Sequence, residues 1–204
     1  ELGLGTTTWS PLGSGLNRNV LGLSMLGPDL VAAGSFSTAG GVATNGVARW
    51  NGAIWSAMGS GMAGGYISSP VTTVLGLPSG DLIAGGQFTT AGGVPAYNIA
   101  RWSGSAWSQL AAGSTTDVFS SVRALHVHAD GSVYACGTFG SIGGINATLI
   151  ARWNGIGWSP VGAGVTGPFG NAAAMQRTAT GDLVVTGSFR TAGGISANNI
   201  ARWN

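Results

Sequence analysis

Apolar and polar positions alternate in short runs along this chain, and no segment sustains a helical period. The clearest run is "VRALHVHA", Val122 to Ala129, which has period two and is rich in β-formers. The turn Asp130-Gly131-Ser132 follows it, and then "VYACGTF", Val133 to Phe139. Two such runs around an Asp-Gly pair predict a β-hairpin. Folding that hairpin about its turn sets Cys136 opposite Leu125. Pro28-Asp29, Gly80-Asp81 and Gly181-Asp182 hold the same place elsewhere in the chain. A segment with paired glycines, "TAGG" in most copies, comes next and reads as a loop whose glycines supply positive φ. A third strand, "LIARWN", then turns through Asn154-Gly155 into a fourth, "GWSPVG".

This pattern recurs. An Arg-Trp pair ends at Trp50, Trp102, Trp153 and Trp203, and Phe36, Phe88, Phe139 and Phe189 keep the same spacings of 52, 51 and 50 residues. A second tryptophan series, each followed by Ser, stands at Trp9, Trp55, Trp107 and Trp158, so the two series account for all eight tryptophans. Four units fill the 204 residues, which read as a single domain, 1–204. Units of about 50 residues with four antiparallel strands, in series, predict a β-propeller. The expected fold is all-β: a four-bladed β-propeller of four-stranded antiparallel blades. The last unit stops at Trp203-Asn204, after its third strand, whereas the chain opens on "TTTWSPLG", a fourth strand without the other three. Strand 6–14 is therefore expected to complete the blade ending at 204, closing the ring as a monomer without an unpaired sheet edge. Exchange of terminal strands between two chains into an eight-bladed ring, or a longer array, are the alternatives.

The repeat G-x-F-x-T-A-G-G-V … I-A-R-W-N-G-x-x-W-S-x-L-G-x-G resembles the glycine-rich β-propeller repeats of large secreted or cell-surface bacterial proteins, and more loosely kelch repeats. The third unit departs from it, with "GSIGG" and "LAAGS". The resemblance implies a propeller in an extracellular or cell-surface setting, and a scaffold that carries no catalytic motif.

Composition narrows the reading. With 38 glycines, 44% hydrophobic and 7% charged residues, the chain is the reverse of a disordered one. Gly, Ser, Thr and Pro break every apolar run, so a membrane span is not expected. The net charge of +2 comes from few charges and no Arg cluster, which removes nucleic acid as a partner. Cys136 is the sole cysteine, so no intramolecular disulfide forms. The chain begins at Glu1 without Met, as a processed or excised piece would.

Function in a repeat scaffold is sought where the units differ. His126 and His128, the only histidines, lie on the innermost strand of the third blade, and Gln176 and Arg177 replace His126 and Val127 in the fourth. With Tyr66 or Tyr97 these form the candidate ligand-binding set; Arg18, Asp117 and Arg190 are further unrepeated charges. A metal site needs more ligands than two histidines supply, so no metal or cofactor is expected. The repeated Arg49, Arg101, Arg152 and Arg202 are expected to pair with carbonyls or an acidic group at a blade edge. Glu1 is the only glutamate, and Asp29, Asp81 and Asp182 read as turn residues, so paired-carboxylate hydrolysis lacks its groups. The expected function is that of a non-catalytic extracellular scaffold, structural, adhesive or protein-binding. The alternative is a lectin-like propeller that stacks Trp or Tyr on sugars between blades.

Overall fold

A computed structural model of the chain describes residues 8–65, 71–110, 120–168 and 170–204. These residues contain strands and turns but no helix, and all strand pairs are antiparallel. Three sheets share one plan, in which sequence order is spatial order. The first blade runs Val20–Leu26, Asp29–Gly34, Val47–Trp50 and Trp55–Ala57. The second runs Val71–Gly76, Leu82–Gly86, Ile99–Trp102 and Trp107–Gln109. In the third the strands are Val122–Val127, Val133–Gly137, Ile150–Trp153 and Trp158–Pro160. The fourth has three: Asn171–Arg177, Leu183–Ser188 and Ile200–Trp203. Successive blades meet through their innermost strands, which is the propeller arrangement.

Two local features differ from the sequence reading. The "TAGG" segments are short hairpins rather than open loops: Thr38–Ala39 pairs with Val42–Ala43, and each unit repeats this. Gly40 and Gly41, at φ 59° and 80°, turn the hairpin, as the two left-handed positions of a type I′ turn require. In the third blade Cys136 faces Ala124, not Leu125, because the five-residue turn His128–Ser132 sets the register at Val127 opposite Val133. Every innermost strand also carries a register shift at the same repeat position: between Val20 and Gly22, Val71 and Thr73, Val122 and Ala124, and Ala172 and Ala174. Such bulges bend a strand and raise its twist.

Burial follows from the strand alternation. On the second strand of the second blade, Ile83 and Gly85 point one way and Leu82 and Ala84 the other. Ile83 and Ile99 join a buried cluster with Val122, Val133 and Phe139 of the third blade, whereas Leu82 and Ala84 join one with Val31 and Val47 of the first. A third cluster unites Tyr134, Cys136 and Ile150 with Ala172, Leu183 and Phe189. Each core thus lies at a seam between blades. At one seam a methyl group on Gly85 would come 2.6 Å from Val122 Cγ1, so a small residue facing a large one sets the spacing.

The expected closing strand is not seated. Residues 6 and 7 lie outside the described chain, residues 8–11 form no strand, and the Trp9 side chain is fully exposed. The segment after it belongs to the first blade: Gly40 N–H donates to Gly15 O at 2.8 Å, and Asn17 Oδ1 accepts from Ser37 N and Thr38 N. Asn17 lies on this blade because its side chain caps the "FSTAGG" hairpin, which holds the linker there.

Candidate functional site

The repeated polar groups are occupied within the blades. Arg49 pairs with Asp29, Arg101 with Asp81 at 2.7 Å, Arg152 with Asp130 at 2.6 Å, and Arg202 with Asp182 at 3.5 Å. The acidic partner comes from the turn or first residue of the second strand, opposite the arginine strand. Desolvation works against ionisation of Asp81, but hydrogen bonds from Arg101 and Ser79 outweigh it and lower its pKa. The second tryptophans are buried, and their indole N–H groups cross the seams: Trp55 donates to Leu12 O, Trp107 to Met58 O and Trp158 to Leu110 O.

The third blade breaks this regularity. Ser132 stands where the other blades have Asp29, Asp81 and Asp182, and the carboxylate comes from Asp130 two residues earlier. Asp130 accepts from the Ser132 side chain and backbone, from His128 and from Arg152, which hold its pKa well below the usual carboxylate range. His128 Nδ1 lies 3.1 Å from Asp130 Oδ1 and its Nε2 3.3 Å from Gly181 O, so this ring ties the third blade to the fourth. Its centroid is 5.8 Å from that of Tyr134.

His128, Tyr134, Arg177, Thr180, Asp182 and Trp203 line a cavity of about 430 Å³ at that seam. His126 is close enough for the Arg177 and His128 charges to act on it; desolvation first, and those charges second, lower its pKa. Its Nε2 and the Arg177 Nε are both buried without a hydrogen-bond partner among the described residues. The seam therefore offers donors for a hydrogen-bond acceptor, beside an aromatic wall. Three of the sequence candidates, His126, His128 and Arg177, come together here. Gln176 does not: it is exposed on the opposite side of its strand from Arg177. Tyr97 lines a separate small cavity with Val122 and Phe139 at the preceding seam. Arg18 borders another cavity with Ser35 and Asn45, and Arg190 is exposed. Tyr66 and Asp117 lie outside the described residues. Tyr134 and Trp203 are absent from the sequence candidates, although hairpin pairing of Tyr134 with His126 is a usable signal. No group of three or more His, Cys, Asp or Glu side chains comes within reach of a common metal ion among the described residues.

No family model matches the chain, and no curated protein matches it. A solved structure described as "YCF48 bound to D1 peptide" is similar at 16% identity and a TM-score of 0.49, over 89% of this chain and 52% of that one. The chain thus spans about half the length of that structure. Its class, all-β of the propeller type, stands on the sheet order and the seam packing.

Proposed function

We propose that the chain is a non-catalytic β-propeller unit that serves as an extracellular scaffold, binding protein partners or joining parts of a surface assembly. The observation that carries this reading is that the repeated polar and aromatic side chains are spent on the fold. Each repeated arginine meets a turn carboxylate, and Trp55, Trp107 and Trp158 are buried with their N–H groups bonded across a seam. What remains for recognition is the seam around His126, His128 and Arg177 together with the blade surfaces. The extracellular setting rests on the resemblance of the repeat.

Carbohydrate binding is the second reading, and burial weighs against it: Trp9 and Trp203 are the indoles with large exposed area. A glycan panel titrated against the chain, read by tryptophan emission, separates the two. The scaffold reading expects no saturable change with any glycan, and saturable binding to some peptides on an array. A saturable emission shift with one sugar, abolished by Trp203→Ala, replaces the scaffold with the lectin.

A further inference from the structure

The fourth blade holds a prepared seat for a tryptophan. In the first three blades the outermost strand pairs with the Arg-Trp strand: Trp50 faces Trp55, Arg49 faces Ser56 and Ala48 faces Ala57 in the first. The two indoles of each pair lie 5.3, 5.3 and 5.5 Å apart between centroids. The serine hydroxyl donates to the arginine carbonyl in all three, at 3.3 to 3.4 Å. The second indole also covers the first glycine of the "GG" turn. A methyl group at Gly40 would lie 3.1 Å from Trp55, at Gly92 2.9 Å from Trp107, and at Gly143 closer still to Trp158. At Gly193, the equivalent in the fourth blade, it would meet nothing within 4 Å. A cavity of about 240 Å³ opens there, lined by Val161, Val165, Leu183, Ala192, Gly193 and Trp203.

The chain carries the matching strand. Trp9-Ser10-Pro11-Leu12-Gly13 repeats the pattern of Trp158-Ser159-Pro160-Val161-Gly162, the outermost strand of the third blade, including its proline. Leu12 already accepts the Trp55 indole N–H, as Met58 and Leu110 accept those of Trp107 and Trp158. Trp9 therefore belongs to the outermost strand of whatever blade precedes the first. It stands three residues before Leu12, a reach of roughly 10 Å when extended, so it stays at the first blade's end of the molecule.

Both end faces are uncovered in the same way. Val71, Val122 and Ala172 are buried at the seams, yet Val20, which holds the same position in the first blade, is 42% exposed. Val47, Ile99 and Ile150 are buried, whereas Ile200 in the fourth blade is 59% exposed. Leu23 and Met25 extend the apolar face at the first end. Because the faces do not cover each other within one chain, we propose that a second copy covers them. Two chains join end to end, each inserting Trp9 beside Gly193 and Trp203 of the other, in an eight-bladed ring with twofold symmetry. Each junction then repeats the three seams inside the chain: Val20 packs toward Thr186 and Ile200 as Val122 packs on Gly85 and Ile99. A forward face meeting a backward face is a heterologous contact, which is finite when the rotation closes. The proposal rests on the seam geometry and is independent of what the scaffold binds.

Sedimentation velocity of the whole chain over a dilution series tests it. The expected species is about twice 20.2 kDa, dissociating to single chains on dilution. Trp9→Ala and Ile200→Arg should each weaken dimerisation by about tenfold or more. Both side chains are exposed in the single chain, so its circular dichroism and melting point at high dilution should not change. Mixing the two variants should restore part of the dimer, because one of the two junctions is then built from unaltered surfaces. A single chain at all concentrations overturns the proposal, and shielded Trp9 emission in that monomer would assign the seat to the chain's own strand. An unending ladder of oligomers, or dimers indifferent to both substitutions, also overturns it.

Discussion

Replacing Ile99 by alanine removes a side chain that is fully buried at the seam between the second and third blades, where it packs with Val122, Val133 and Phe139. Three carbon groups leave the core, and at ~0.8 kcal/mol each the transfer term is about 2.4 kcal/mol. The seam is bounded by two sheets whose hydrogen-bonded ladders resist collapse, so a cavity term adds to it. The total falls at about 3 kcal/mol, inside the range of roughly 2–5 kcal/mol for such truncations. At ~2.1 cal/mol/K per residue, the unfolding entropy of a chain this long turns that loss into a fall of about 7 °C in melting temperature. Ile200→Ala is the internal control. It occupies the same repeat position before the same Ala-Arg-Trp, but is largely exposed in the single chain. Its cost there should stay within about 0.5 kcal/mol. Thermal unfolding followed by near-ultraviolet circular dichroism, at dilutions where the chain is single, measures both. Equal melting shifts for the two variants would show that the seams do not carry the core, and the reasoning would fail.

Three further outcomes follow from named contacts. His126 is held neutral by desolvation and by the neighbouring His128 and Arg177 charges, so its folded pKa lies below its ordinary 6.5. The unfolded chain then binds the proton more readily, so stability is lost as pH falls below 6.5; His126→Gln should flatten the dependence of melting temperature on pH there, and an unchanged slope would dismiss the assignment. The Cys136 thiol is buried, and desolvation pushes its pKa up to about 12. It should react with a thiol reagent only as fast as the seam opens, speeding up in denaturant, whereas immediate labelling of the native chain would contradict its burial. Gly92→Ala and Gly93→Ala both place a side chain at positive φ, at a cost of about 1–2 kcal/mol. Only the first also drives a methyl group to 2.9 Å from Trp107, so it should be the more destabilising in urea titrations, and parity would argue against the indole seat.

Much of the fold is legible in the sequence because the information is local and repeated four times. Period-two runs mark the strands, Asp-Gly and Asn-Gly pairs mark the turns, and the tryptophan and phenylalanine spacings set the blade length. The short hairpin inside "TAGG" is not legible, because two-residue strands leave no alternation to read. The register of Cys136 differs by one residue because the turn runs over five residues, and no pattern in the apolar positions specifies that count. The candidate site is half legible. His126, His128 and Arg177 stand out as departures from the repeat, whereas Asp182 reads as a turn residue and Tyr134 as ordinary strand.

By itself, the sequence determined that the chain is a series of four antiparallel β units, in which every strand has two faces and every unit the same polar pairs. It could not determine which faces are buried. Val20 and Val122, or Ile99 and Ile200, hold equivalent places in the repeat and differ only in whether another sheet lies against them. Hydrogen bonds between chain neighbours specify a strand, but a face is buried by a sheet some fifty residues away. Only the tertiary structure decided that three seams are closed within the chain, that His126 and Arg177 meet at one of them, and that the first and fourth blades present uncovered faces with Trp9 standing free.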